Sequence, residues 1–120
     1  MKRIKLIEQL YSKAKEQGQA KVNGRMRGMW GHVGELEEKY AIEIENDILT
    51  MRHWGTETIA IDLVNNNIIE YYGESNSDRD SLNTLVNALG IEPNFRYLPS
   101  KDKFFYDENL GWQIKSSIVI

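Results

Sequence analysis

Lys39-Tyr40-Ala41-Ile42-Glu43-Ile44-Glu45-Asn46-Asp47-Ile48-Leu49-Thr50-Met51-Arg52-His53-Trp54 is the stretch that decides the fold. Tyr40, Ile42 and Ile44 alternate with Ala41, Glu43 and Glu45, the period of two shown by a strand buried on one face. Asn46-Asp47 is a two-residue turn signal, because both side chains tolerate positive φ. Ile48–Trp54 then reads as the returning strand. Gly55-Thr56 turns the chain into Glu57–Val64, where Ile59, Ile61 and Leu63 share a face. Asn65-Asn66-Asn67 leads tightly into Ile68–Tyr72. Connections this short force antiparallel pairing, so the expectation is a four-stranded meander.

Helical patterns flank the meander. Towards the N-terminus, Ile4, Ile7, Leu10, Tyr11 and Ala14 recur at helical spacing, and Gly18 suits the left-handed position just past a helix end. Between that helix and the meander, residues 18–34 hold five of the nine glycines. Asn23-Gly24 signals a hairpin between two short extended pieces, Ala20–Val22 and Arg25–Trp30. Beyond the meander, Ser77 is the expected N-cap of a second helix, with Asp78 and Asp80 in its first turn. Leu82, Leu85, Val86 and Leu89 form its apolar stripe, and Gly90 closes it. Phe95–Leu98, Lys103–Tyr106 and Trp112–Ile120 return to strand patterns, the last after an Asp107–Gly111 turn. The order α-β-β-β-β-α-β-β-β predicts a single α+β domain over residues 1–120, with two helices packed on a mainly antiparallel sheet.

Composition narrows the function classes. Hydrophobic residues at 41% and charged residues at 28% exclude wholesale disorder. There are no cysteines, which excludes disulfides, thiol nucleophiles and cysteine-held zinc. The basic N-terminus lacks a following signal-type apolar stretch, and no segment is long and apolar enough to span a bilayer, so a cytoplasmic protein is expected. The net charge of −3 conceals a polarity along the chain. Residues 1–31 carry eight Lys or Arg against two Asp or Glu, a net +6. Residues 32–80 carry three against twelve, a net −9, and residues 81–120 balance at four each. Either the two halves offer separate surfaces to oppositely charged partners, or they meet in the fold and neutralise each other.

Motifs for chemistry are sparse. His32 and His53 are the two histidines, and neither has metal-ligand spacing; P-loop, nucleophile-elbow and dinucleotide patterns are missing. A lone strand imidazole at His53 would need an orienting partner to act as a base. Glu70, Glu74, Asp78 and Asp80 surround a strand–loop–helix junction, a composition that could hold a hard cation. Asp78 and Asp80 have a sufficient structural reason, since acids in a first turn face the positive end of the helix dipole. No metal, cofactor or catalytic residue is therefore expected. Two binding surfaces remain. Arg25 and Arg27, with Lys21, Met26, Met29 and Trp30, suit a protein interface rich in Met, Arg and aromatic anchors, or contact with phosphates and bases. Glu43, Glu45 and Asp47, with Glu74, Asp78 and Asp80, offer an acidic strip that could imitate nucleic-acid phosphates; otherwise Glu43 and Glu45 are an ordinary solvated sheet face.

Two stretches carry a resemblance: Leu49-Thr50-Met51-Arg52-His53-Trp54-Gly55-Thr56, and Tyr71-Tyr72-Gly73-Glu74-Ser75-Asn76-Ser77-Asp78-Arg79-Asp80-Ser81-Leu82-Asn83-Thr84. Over about residues 1–98 the chain resembles small proteins of phages and mobile elements of Gram-positive bacteria. Some small proteins of this kind look like anti-CRISPR proteins. The resemblance implies a binder that blocks a type II CRISPR effector nuclease or its guide RNA complex, which holds its guide–target duplex in a basic channel. The motif residues are either the contact itself or the shapers of a turn and a helix cap. The alternative function is a nucleic-acid-binding accessory protein using the basic, glycine-rich N-terminal third.

Overall fold

A computed structural model describes residues 3–27 and 33–108. Its elements run α1 (Arg3–Gln17), β1 (Gln19–Arg27), β2 (Val33–Glu45), β3 (Ile48–His53), β4 (Thr56–Asp62), β5 (Asn67–Tyr71), α2 (Asn76–Ala88), β6 (Phe95–Leu98) and β7 (Lys103–Tyr106). This is the expected α+β class, with two helices on a mainly antiparallel sheet. β1 to β5 pair in sequence order, each antiparallel to the next, and β6 pairs with β7 in a small second sheet. The meander is β2 to β5, extended by β1 to five strands. The expected strand Trp112–Ile120 lies outside the described residues, as do Met29, Trp30 and His32.

In α1, Ile7, Leu10 and Ala14 are buried, one stripe of an amphipathic helix. Ile4, expected on that stripe, is exposed in the first turn. Gly18 ends the helix at φ +86°, its amide donating to the Ala14 carbonyl at 2.8 Å. On α2, Leu82, Leu85 and Val86 are buried. Both stripes meet Tyr40, Ile42, Leu49, Met51, Ile59 and Ile61 on a single face of the sheet. Each fully buried side chain of this type contributes about 1.5–3 kcal/mol. Among the described residues, no helix is long and apolar enough to cross a membrane.

Phe95 joins this core from β6, edge-on to Tyr71 at 5.2 Å and to Tyr106 at 4.9 Å. The Asn83 amide clamps the same residue, accepting from the Phe95 amide at 2.7 Å and donating to its carbonyl at 3.2 Å. The α2 helix thereby holds a strand edge with one side chain.

Three local expectations are corrected. Asn23-Gly24 is no turn: both residues lie inside the continuous strand β1, at a bulge between Val22 and Asn23. A Cβ at Gly24 would sit 3.0 Å from the Lys39 side chain and 3.5 Å from the Trp54 indole, so this glycine permits close approach. The second meander turn is Trp54-Gly55, at φ +52° and +83°, one residue earlier than Gly55-Thr56. The N-cap of α2 is Ser75, whose extended backbone starts the helix two residues before Ser77 and whose Oγ accepts from the Asp78 amide at 3.1 Å. Ser75→Ala should lower stability by about 1 kcal/mol, read as a fall of a few degrees in Tm by thermal melting.

β1 and β2 run past the rest of the sheet. β2 pairs with β3 from Tyr40 to Glu45, whereas its pairing with β1 extends out to Arg27↔Val33. The outer parts form a two-stranded arm with Met26, Val33 and Leu36 exposed. On this arm the basic strand lies beside the acidic one: Asn23 faces Glu38, Gly24 faces Glu37 and Arg25 faces Leu36. The two oppositely charged halves of the sequence therefore meet there.

Candidate functional site

The sheet face turned away from α1 and α2 is built by alternation plus three bulges. The first is at Lys39 in β2, where Val22 pairs with Tyr40 but Asn23 pairs with Glu38, which turns Glu38 to this face. In β2, Ala41 and Glu43 point opposite to the buried Tyr40 and Ile42, as expected from their spacing. Strict alternation in β4 would put Glu57 on the same face as Ile59 and Ile61. Instead Thr58 is an extra residue: Met51 pairs with Ile59, but Arg52 pairs with Glu57. In β5 the extra residue is Ile69: Ile61 pairs with Ile68, but Ala60 pairs with Glu70. Each bulge rotates a glutamate from the core side to the open side. Glu38, Glu43, Glu57 and Glu70 thus share a face with the small side chains of Ala41 and Ala60.

Their electrostatics are unbalanced. The Arg52 guanidinium bonds Glu38 at 3.1 Å and lies 3.7 Å from Glu43. Glu57 and Glu70 are both exposed and bond each other. The hydrogen bond to Glu70, then partial burial and the Glu70 charge, raise the Glu57 carboxyl above its ordinary value against the pull of Arg52. Two carboxyls crowded in this way gain from a neighbouring cation.

A second region forms where the two resemblance motifs meet. His53 ends β3, and Asp78 lies in the first turn of α2, 25 residues further on. His53 Nδ1 lies 2.8 Å from Asp78 Oδ1, with the side chains only 10% and 8% exposed. Asp78 Oδ2 accepts from the Glu74 amide at 2.9 Å. The His53 ring stacks on its cross-strand neighbour Tyr40 at 4.3 Å, nearly parallel at 4°. Burial pushes the Asp78 carboxyl up, but the bonds from His53, the Glu74 amide and Ser75 outweigh it and hold it below the usual range. Beside the pair is a cleft of about 520 Å³, walled by Met26, Trp54, Tyr72, Glu74 and Asp102.

The residues expected to bind a partner are distributed over several places. Glu43 is on the open face. Glu45 and the Asn46-Asp47 turn close the far end of the β2–β3 hairpin, and Asp47 is exposed. Asp47 is about 20 Å from His53, at roughly 3.3 Å per strand residue. Glu74 lines the cleft, its Oε2 accepting from the Tyr72 hydroxyl at 2.9 Å. Asp78 is buried under its bonds to His53 and Glu74, and is no surface for a partner. Asp80 takes the Arg79 guanidinium at 2.8 Å. Arg25 is exposed on the arm, donating to the Gly34 carbonyl at 3.2 Å; Arg27 ends β1, and Trp30 lies outside the described residues. The acidic strip is thus not one surface.

Glu70, Glu74, Asp78 and Asp80, considered as a cation site, do not converge. Among the described residues no group of three or more His, Asp or Glu is placed to hold a metal. The reading of the sequence missed Glu57 and the His53–Asp78 pair. The first needs the bulges to be known, and the second joins residues that no local spacing connects.

Compared with protein-family models, curated proteins and solved structures, the chain matches none of them.

Proposed function

We propose that this chain is a phage or mobile-element accessory protein that binds and inhibits a host defence protein through its open acidic sheet face. The observation that carries this reading is the rotation of Glu57 and Glu70, by two separate bulges, onto the face that already holds Glu38 and Glu43. Bulges weaken strand pairing and are features that re-aim side chains. A face of spaced carboxylates on a sheet matches the charge of a nucleic-acid backbone and competes for the same basic channel. Opposite charge also speeds the encounter, by an amount that falls with salt. The motif resemblance supplies the partner class: a type II CRISPR effector nuclease or its guide RNA complex, whose channel holds the guide–target duplex. The protein acts by occupancy, blocking DNA binding or cleavage, rather than by catalysis.

The test is gel filtration of the protein mixed with type II effectors from Gram-positive hosts. Co-elution at low salt that weakens steadily as salt rises is the expected outcome. Absence of co-elution with each effector at low salt overturns the proposed partner class.

The second reading, a nucleic-acid binder, is favoured by the protruding two-stranded arm, since a ribbon of this kind fits a DNA groove. Against it, Glu35, Glu37 and Glu38 lie on the strand beside Arg25 and Arg27. Salt-sensitive retention of DNA or RNA that is lost in Arg25→Ala/Arg27→Ala would establish this reading instead.

A further inference from the structure

The cleft beside His53 and Asp78 has a lining of defined polarity. His53 Nδ1 faces Asp78 Oδ1 at 2.8 Å. The ring is nine-tenths buried, lines the cleft and forms no second hydrogen bond among the described residues. The Tyr72 hydroxyl spends its hydrogen on Glu74 and leaves lone pairs free. Glu74 and Asp102 add exposed carboxylates, and among the described residues no lysine or arginine lines the cleft. Trp54 and Tyr72 contribute two aromatic rings to the same walls.

We infer that this cleft receives the guanidinium of an arginine side chain presented by a protein partner. A guanidinium has five donors and no acceptor, matching a lining rich in acceptors, and its planar cation stacks on aromatic faces in a way that a compact ammonium does not. A partner arginine fits better than a free small cation because the exposed Met26 of the arm forms part of the wall, and methionine with aromatic anchors is typical of protein interfaces. Buried arginines are common hot spots there. The inference rests on the reading of the chain as a binder of a basic partner, but it concerns a different surface from the open acidic face.

The test needs no partner protein. The isotope-labelled full chain is titrated with N-acetyl-arginine amide and, separately, with the uncharged isostere N-acetyl-citrulline amide, followed by NMR. Saturable shifts at the Trp54 indole N–H and the Glu74 amide are expected, with citrulline at least about tenfold weaker. The double substitution Glu74→Gln/Asp102→Asn should weaken arginine binding several-fold while leaving the melting temperature near that of the parent, because both side chains are exposed. Equal binding of citrulline, shifts confined to the open face around Glu57 and Glu70, or no saturable shift would each overturn the inference. Any of these would leave partner binding by the open face standing, since that is read separately from complex formation.

Discussion

Asp78→Ala is expected to remove about 3 kcal/mol of stability, the cost of leaving buried hydrogen-bond donors without their shared acceptor. For a domain of this size that is a fall in Tm of roughly 10–15 °C. Two groups lose their acceptor together, His53 Nδ1 and the Glu74 amide, while the cap from the Asp78 amide to Ser75 Oγ remains. His53→Ala should cost less, because Asp78 keeps the Glu74 amide and its own cap to Ser75. The pair also fixes a pH dependence. The Asp78 carboxyl lies below its ordinary value when folded. Its stabilisation is therefore complete above the unfolded value of about 4, and is lost as pH falls through the lower folded value. Urea unfolding of the parent should weaken steeply below about pH 4, and Asp78→Asn should lack that part of the loss. Superimposable pH profiles for the two proteins would show that the pair stores no such energy.

The second large effect is on association. Glu43→Lys/Glu57→Lys/Glu70→Lys should weaken partner binding at least about 100-fold, or roughly 2.7 kcal/mol. The three substitutions reverse charges on one face, so their repulsions from a basic channel act together. The fold should survive them. Glu43 loses an exposed contact with Arg52 at 3.7 Å, of a kind worth at most about 1 kcal/mol. Converting both Glu57 and Glu70 replaces one like-charged pair by another. The Gln versions of all three should fall between parent and reversal, because they remove attraction without adding repulsion. Surface plasmon resonance at several salt concentrations reads this directly: the slope of affinity against salt should flatten in the Gln variant and change sign in the Lys variant. Equal affinities for parent and Lys variant would remove the open face from the interface.

How far the sequence disclosed this molecule depends on the range of the interactions involved. The helices were legible because Ile7, Leu10 and Ala14, and Leu82, Leu85 and Val86, repeat within a few residues. The meander was legible from the alternation around Tyr40–Ile44 and the Asn46-Asp47 turn, whose two residues adopt φ +53° and +63°. Asn23-Gly24 misled because glycine serves either of two needs, positive φ or close approach, and only the packed Lys39 and Trp54 side chains decide between them. Ser75, Asn76 and Ser77 are all capping residues, so composition could not say which one has the extended backbone. The open acidic face was half legible. Glu43 followed from strict alternation, but Glu57 and Glu70 did not, since Thr58 and Ile69 each break the period of two. The link between the motifs was invisible: His53 and Asp78 are 25 residues apart and meet across the intervening β4 and β5. The turn and the helix entry are coupled by that pair, which gives both motifs a structural reason.

The proposed function comes down to whether the open face takes the place of DNA on the effector. The direct measurement is binding of a fluorescent target duplex to a guide-loaded type II effector in the presence of increasing amounts of this protein. The account predicts that the parent displaces the duplex in a saturable manner and that the Glu43→Lys/Glu57→Lys/Glu70→Lys protein leaves it bound. Undiminished DNA binding at saturating parent protein, or equal displacement by both proteins, would contradict it.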